Sequence, residues 1–284
     1  MPANKHDILL ELRRDILLLQ GFKPPAAGAV DVGLGEIGRA FPHGVFPTGA
    51  IHEFISSGGE TAAASGGFVS GILGALMRGG GAREGRSRVG GARDEGGRDG
   101  GAHDGGGARD GGVCIWIRSS GRLFPPALTA FGIEADRIIF IDLKREKDIL
   151  WCMEEALKCE GLAAVVGETP DISFTASRRL QLAVEQSRVT AFLLRHNPRD
   201  LNTIARVARW KITPLASELE GGLPGLGFPR WQVELTWVKN GQPGTWLVEW
   251  RAGRFAAERA DIAAGRASIA AARELAGGLR RRTG

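Results

Sequence analysis

The stretch GGETAAASGGFVSG, residues 58–71, decides how the chain is read. It follows the apolar run AIHEFI (residues 50–55) and precedes another, ILGALM (72–77). A strand, a loop of small residues and a helix start form the setting of a Walker A loop, G-x-x-x-x-G-K-[ST], whose backbone N–H groups surround nucleotide phosphates. With Gly66 as the second glycine, Gly67 stands where the motif has lysine and Phe68 where it has Ser or Thr. The stretch is a nucleotide site, the remains of one, or an ordinary turn.

The segments around it favour an α/β chain. Before it, Ile8, Leu9, Leu12, Ile16 and Leu19 follow helical spacing and Gly21 offers a stop; a Pro/Gly-rich connector then leads to FPTGAIHEFI. After it come the strand GVCIWI, the helix start PPALTAFGI with prolines in its first turn, and the strand RIIFIDL. A helix (EKDILWCMEEALKC), a strand (LAAVVGE), a helix (SFTASRRLQLAVEQS) and a strand (VTAFLLR) follow. Short continuous apolar strands alternating with helices indicate a mostly parallel sheet covered on both faces. In RWQVELTWVKNGQPGTWLVEW, Trp231, Val233, Leu235 and Trp237 alternate with polar residues, and Asn240-Gly241 sits between them and Trp246, Val248 and Trp250. That pattern predicts an antiparallel hairpin with one apolar face, its tryptophans in the core.

Composition sets limits. The 284 residues carry a formal charge of +5 and are 43% hydrophobic, enough for a sizeable core. MPANKHDILLELRRD is too charged for a secretory signal, and no apolar run nears the roughly 18 residues of a membrane span. A cytoplasmic protein without a membrane partner is expected. Cys114, Cys152 and Cys159 lack C-x-x-C spacing, so reduced thiols are expected rather than a metal site or redox centre. Residues 79–112 are almost entirely Gly, Ala, Arg, Asp and Glu with mixed charge, which predicts a disordered spacer inside the core.

The order of elements resembles the RecA recombinase core. More narrowly, FPHGVFPTGAIHEFISS, AAASGGF, RIIFIDL, EEALKCEGLAAVVGE, SFTASRRLQLAVEQSRVTAFLLR, RVARWKITP and GFPRWQVEL resemble the ImuA family, the RecA-like proteins of bacterial mutagenesis cassettes. The resemblance covers roughly residues 5–255 outside the glycine-rich insertion. It implies a RecA-like fold and divides the chain into an N-terminal helix (1–24), a core (25–255) and an Ala/Arg-rich tail (256–284).

Aligned on a recombinase P-loop, Thr61 takes the first glycine, Ser65 and Gly66 follow, Gly67 replaces the lysine and Phe68 the Mg²⁺-binding hydroxyl. Lysine and Mg²⁺ supply the charge that stabilises phosphoryl transfer, so their loss is severe. After CIWI the chain has RSSGR, with no carboxylate for a catalytic acid. LAAVVGE ends in Gly167 where a Walker B aspartate belongs, and Glu168, one residue late, is expected on the opposite face. His196 or Asn197 stands where a sensor glutamine would follow the last parallel strand. The expectation is a remnant turn, no enzyme and no resident cofactor; nucleotide binding without hydrolysis stays open through the turn's N–H groups.

Two further inheritances are implied. Recombinases hold DNA with loops after the central strands; here RHNPRDLNTIAR offers Arg195, Arg199 and Arg206 for weak, salt-sensitive phosphate contact. A solvated rim reads them equally well. The resemblance also implies partnership with ImuB, a Y-family-like polymerase homologue, and through it service to an error-prone replicative-type polymerase and the sliding clamp, with RecA a further partner. Docking is expected at the chain ends: Ile16 and Leu19 in the leading helix, and Arg280, Arg281 and Arg282 in the tail. The function expected is a non-catalytic scaffold in damage-induced translesion synthesis. A DNA-dependent recombinase-type ATPase and a SulA-like cell-division inhibitor are the alternatives.

Overall fold

The computed structural model describes residues 30–79, 112–119, 123–217 and 227–259. The leading helix with Ile16 and Leu19, nearly all of the glycine-rich insertion, and the tail with Arg280, Arg281 and Arg282 lie outside the described residues.

Twelve main elements occur in chain order: β1 (Ile51–Ser56), α1 (Gly59–Gly79), β2 (Val113–Arg118), β3 (Ile138–Asp142), α2 (Glu146–Leu157), β4 (Leu162–Glu168), α3 (Phe174–Ser187), β5 (Thr190–His196), β6 (Ala208–Leu215), β7 (Arg230–Val238), β8 (Gly244–Arg251) and β9 (Arg254–Arg259). They build one nine-stranded sheet in the order β3-β2-β4-β5-β1-β6-β7-β8-β9. β1 to β6 pair in parallel, and β6-β7, β7-β8 and β8-β9 pair antiparallel. The mostly parallel sheet with helices on both faces and a C-terminal antiparallel hairpin is the architecture expected.

Local chemistry accounts for the element ends. Ser173 caps α3, its Oγ accepting from Ala176 N at 3.1 Å, and Arg188 closes the helix in the left-handed region at φ 65. The β7-β8 turn takes Asn240 at φ 55, a conformation asparagine tolerates. PPALTAFGI forms a 3₁₀ segment, Pro125–Phe131, rather than an α-helix, and Gly132 ends it at φ 73.

Two cores cover the sheet. On one face α1 packs Phe68, Val69, Ile72 and Leu73 against Phe54, Trp116, Phe192, Trp210, Trp231 and Trp250. On the other, α2 and α3 bring Ile149, Met153, Leu157, Leu180 and Val184 onto Val165, Ala191 and Leu193.

The hairpin departs from strict alternation. Arg209 lies opposite Trp237 and Trp210 opposite Leu235, so Thr236 is an extra residue on β7, bonded through its Oγ1 to Arg209 O at 3.1 Å. Such a bulge reverses the facing of the residues beyond it. Trp231 and Leu235 lie in the α1-side core, whereas Trp237 is 39% exposed. The core also continues past the expected boundary at residue 255. After a turn at Ala252-Gly253, β9 adds a strand to Arg259, and Phe255 packs 5.0 Å from Phe68 and 4.8 Å from Trp250 between ring centroids.

Candidate functional site

The carboxyl ends of β1, β4 and β5 meet the start of α1, which is where an open α/β sheet places a ligand. The expected turn at Thr61, Ser65, Gly66, Gly67 and Phe68 is absent: all five residues are inside α1, which already begins at Gly59. Ala62 N donates to Gly58 O at 3.3 Å, closing the first turn. Thr61 Oγ1 accepts from Ser57 N at 3.0 Å and donates to Ser57 O at 2.7 Å, while Asn197 Oδ1 accepts from Gly58 N at 2.9 Å. Ser65 Oγ donates back to Thr61 O at 2.8 Å. Backbone N–H groups committed to a helix ladder cannot also ring a phosphate. Glu60 in the first turn puts a carboxylate where a phosphate would need a cation.

The glycines have another use. Phe68 is fully buried, within 6.0 Å of the Trp210 and Trp231 rings, so it is a core anchor at the position of the missing hydroxyl. A side chain at Gly67 would meet Trp231 at 3.4 Å; one at Gly71 would overlap the Phe255 ring, and one at Gly74 the Phe131 carbonyl oxygen. Spaced at i, i+4 and i+7, they let α1 lie close to bulky rings. The small-residue stretch is a helix-packing surface.

The neighbouring polar groups are likewise tied to one another. Ser56 Oγ and His196 Nδ1 are 2.6 Å apart. Glu168 is on the α1 side, contrary to expectation: Trp116, in the α1-side core, donates its indole N–H to Glu168 Oε1 at 2.9 Å, and Gly167 instead faces Met153 of α2. Among the described residues no group of three or more His, Cys, Asp or Glu is placed to hold a metal ion.

The three arginines expected at DNA occupy different environments. Arg195 is 1% exposed; it donates to Glu53 Oε1 at 2.8 Å, Pro170 O at 3.0 Å and Asp200 O at 2.8 Å, so it is a structural cation and no DNA contact. Arg206 is 7% exposed, with Nε 3.0 Å from Glu53 Oε2 but without the alignment of a hydrogen bond. Burial pushes its guanidinium below the ordinary arginine range. Arg199 alone reaches solvent, at 76% side-chain exposure, and pairs with Asp171 and Glu146. Arg209, which sequence reasoning missed, donates to Glu53 Oε2 at 2.6 Å and Asn202 O at 2.9 Å. Fully buried Glu53 is the hub. Its one signal was a carboxylate in the middle of the apolar run AIHEFI.

Beside this network, α2 and α3 enclose a groove of about 880 Å³ floored by Leu150, Ile172, Ala176 and Leu180. Ion pairs Arg179–Glu154 and Arg199–Glu146 bridge its rim.

No family model matches the chain. Protein ImuA of Caulobacter vibrioides (strain NA1000 / CB15N) is 31% identical over 225 residues, covering 75% of this chain and 80% of the relative. Protein ImuA of strain ATCC 19089 / CIP 103742 / CB 15 aligns with the same values. Among solved structures, the KaiC-like protein PH0186 of Pyrococcus horikoshii OT3 superimposes with a TM-score of 0.46 at 11% identity, covering 81% of this chain and 98% of that one. With a relative this similar over most of both chains, the protein belongs to the ImuA family.

Proposed function

We propose that the protein is a non-catalytic RecA-like accessory factor of damage-induced (SOS) error-prone repair, acting as a scaffold for translesion DNA synthesis through ImuB. ImuB would connect it to the error-prone replicative-type polymerase and the sliding clamp. Family membership supports the setting. The observation that carries the non-catalytic reading is Phe68, fully buried in the aromatic core where a nucleotide site needs a hydroxyl on Mg²⁺. The helical course of residues 61–68 and the Trp116-bound Glu168 support it further. A scaffold needs a rigid body and partner surfaces, not phosphate chemistry. Exposed Trp151, Phe174, Leu182 and Leu201 around α2 and α3 are consistent with protein partners.

The test is twofold. Purified protein incubated with ATP, Mg²⁺ and single-stranded DNA should release no phosphate above a blank, and tagged protein from DNA-damaged cells should capture ImuB. DNA-stimulated turnover that disappears on Gly67→Glu would overturn the non-catalytic reading. Absence of ImuB from the captured proteins would overturn the partnership.

A further inference from the structure

The start of α2 breaks a local rule. Lys144 and Arg145 precede the helix and Lys147 is in its first turn, where the helix dipole favours anions over cations. Arg145 is the N-cap, a position suited to Ser, Thr, Asp or Asn, and it makes no side-chain cap hydrogen bond. All three residues are exposed. Cations kept where they do not help their own helix have a use elsewhere.

The neighbouring acids do not absorb them. Glu146 and Asp171 pair with Arg199, Glu154 pairs with Arg179 and Lys158, and Asp200 adds its pull on Arg199. Glu53 is held by Arg195, Arg206 and Arg209. Among the described residues Lys144, Arg145 and Lys147 join no ion pair, and in the run LKREKD only Asp148 is left to offset them. This surplus borders the groove between α2 and α3. Lys147 lines that groove, and so does Trp151, one turn further along α2 and 61% exposed. Its floor is apolar, with Leu150, Ile172 and Leu180. An apolar floor, an aromatic rim and unmatched cations at one end fit a helix with an apolar stripe and acids beside it. A nucleic acid would use the cations and leave the floor bare.

We propose that the α2–α3 groove docks an acidic amphipathic helix of a protein partner. Its apolar stripe lies on Trp151 and the Leu150 floor, and its carboxylates face Lys144, Arg145 and Lys147. The site deepens the scaffold role above and rests on it for the expectation of a protein partner.

The test places the photo-crosslinking amino acid p-benzoylphenylalanine at position 151 of the full-length chain in DNA-damaged cells. The same group at exposed Glu160 is the control. Crosslinked peptides are sequenced by mass spectrometry. The expected adduct is a segment of another protein with apolar residues at helical spacing and an excess of Asp and Glu. In the same chain, Lys144→Glu with Lys147→Glu should lower its yield about tenfold, because two attractions become repulsions. Both side chains are exposed, so the double variant should melt as wild type does; if it melts early, Lys144→Gln with Lys147→Gln replaces it. An unchanged yield overturns the proposal. So does an adduct with nucleic acid, with residues 7–19 of this chain, with a second copy of it or with a peptide lacking that pattern, and so does none above the Glu160 control. An adduct with ImuB supports the scaffold role as well. An acidic helix from a different protein supports the groove and counts against ImuB as its occupant, so either reading can fail alone.

Discussion

On the α1 side of β1, His52 and Phe54 point into a stack of rings; on the other side, between them in sequence, Glu53 meets three guanidinium groups. The first region is dry and tightly interdigitated, with Phe46 4.2 Å from the His52 ring and Phe54 stacked 5.7 Å from Trp210. The second is a charged knot joining β1, β5, β6 and the loop from 197 to 207. One strand serves both because its side chains alternate faces. In a nucleotide-using relative, the carboxyl end of this strand would lead to phosphate. In this chain one region is hydrophobic helix packing and the other an internal ion network.

Breaking the knot should cost most. Glu53→Gln leaves three arginines around a neutral amide, and removing one side of a buried pair costs about 3–5 kcal/mol. Chemical denaturation should show a loss of that order; a loss under about 1 kcal/mol would mean that water already screens the network.

The dry side should respond to acid. His52 donates from Nε2 to Pro47 O at 2.8 Å and its Nδ1 faces the Trp210 indole N–H at 3.4 Å, an arrangement for the neutral ring. Burial lowers its pKa from 6.5 to about 4. The unfolded chain therefore takes up this proton first. The His52 contribution is complete above about pH 6.5 and falls as pH drops toward 4, by about 3 kcal/mol in all. In His52→Phe the fall in stability between pH 7 and 4 should be shallower by that amount. An unchanged slope would place the acid sensitivity elsewhere.

Two glycines sharpen the packing side at smaller magnitude. Gly74→Ala drives a methyl into the Phe131 carbonyl and should destabilise by about 1–3 kcal/mol, outweighing the gain in helix propensity. Gly67→Ala makes an ordinary 3.4 Å contact with Trp231, so propensity should win, with a gain of up to about 1 kcal/mol. Opposite signs in thermal melts would confirm that approach distance, not composition, governs this helix.

The sheet was legible where local pattern and tertiary role agreed. LAAVV and AFLL are continuous apolar runs and become buried central strands, and Asn240 is in the left-handed turn its residue type suits. The misses share a cause: distant residues overrode local preference. The glycines and small residues of 58–71 read as a loop, yet rings from β7, β8 and β9 make close approach favourable and α1 starts at Gly59. Arg195 and Arg206 looked like surface cations because their acceptor, Glu53, is some 140 residues or more away in sequence. Trp237 obeyed the period of the hairpin, and one inserted residue, Thr236, reversed its face. β9 comes after a two-residue turn in a segment without alternating apolar pattern, so nothing local announced it.

Residues 59–71 form packed helix rather than the loop of a phosphate cradle. Amide hydrogen exchange across residues 62–70, with and without millimolar ATP and Mg²⁺, tests it most directly. Slow exchange is expected throughout this segment, as for core helix, with the same rates after nucleotide is added. Fast exchange in the free protein that slows on adding ATP and Mg²⁺ would contradict it.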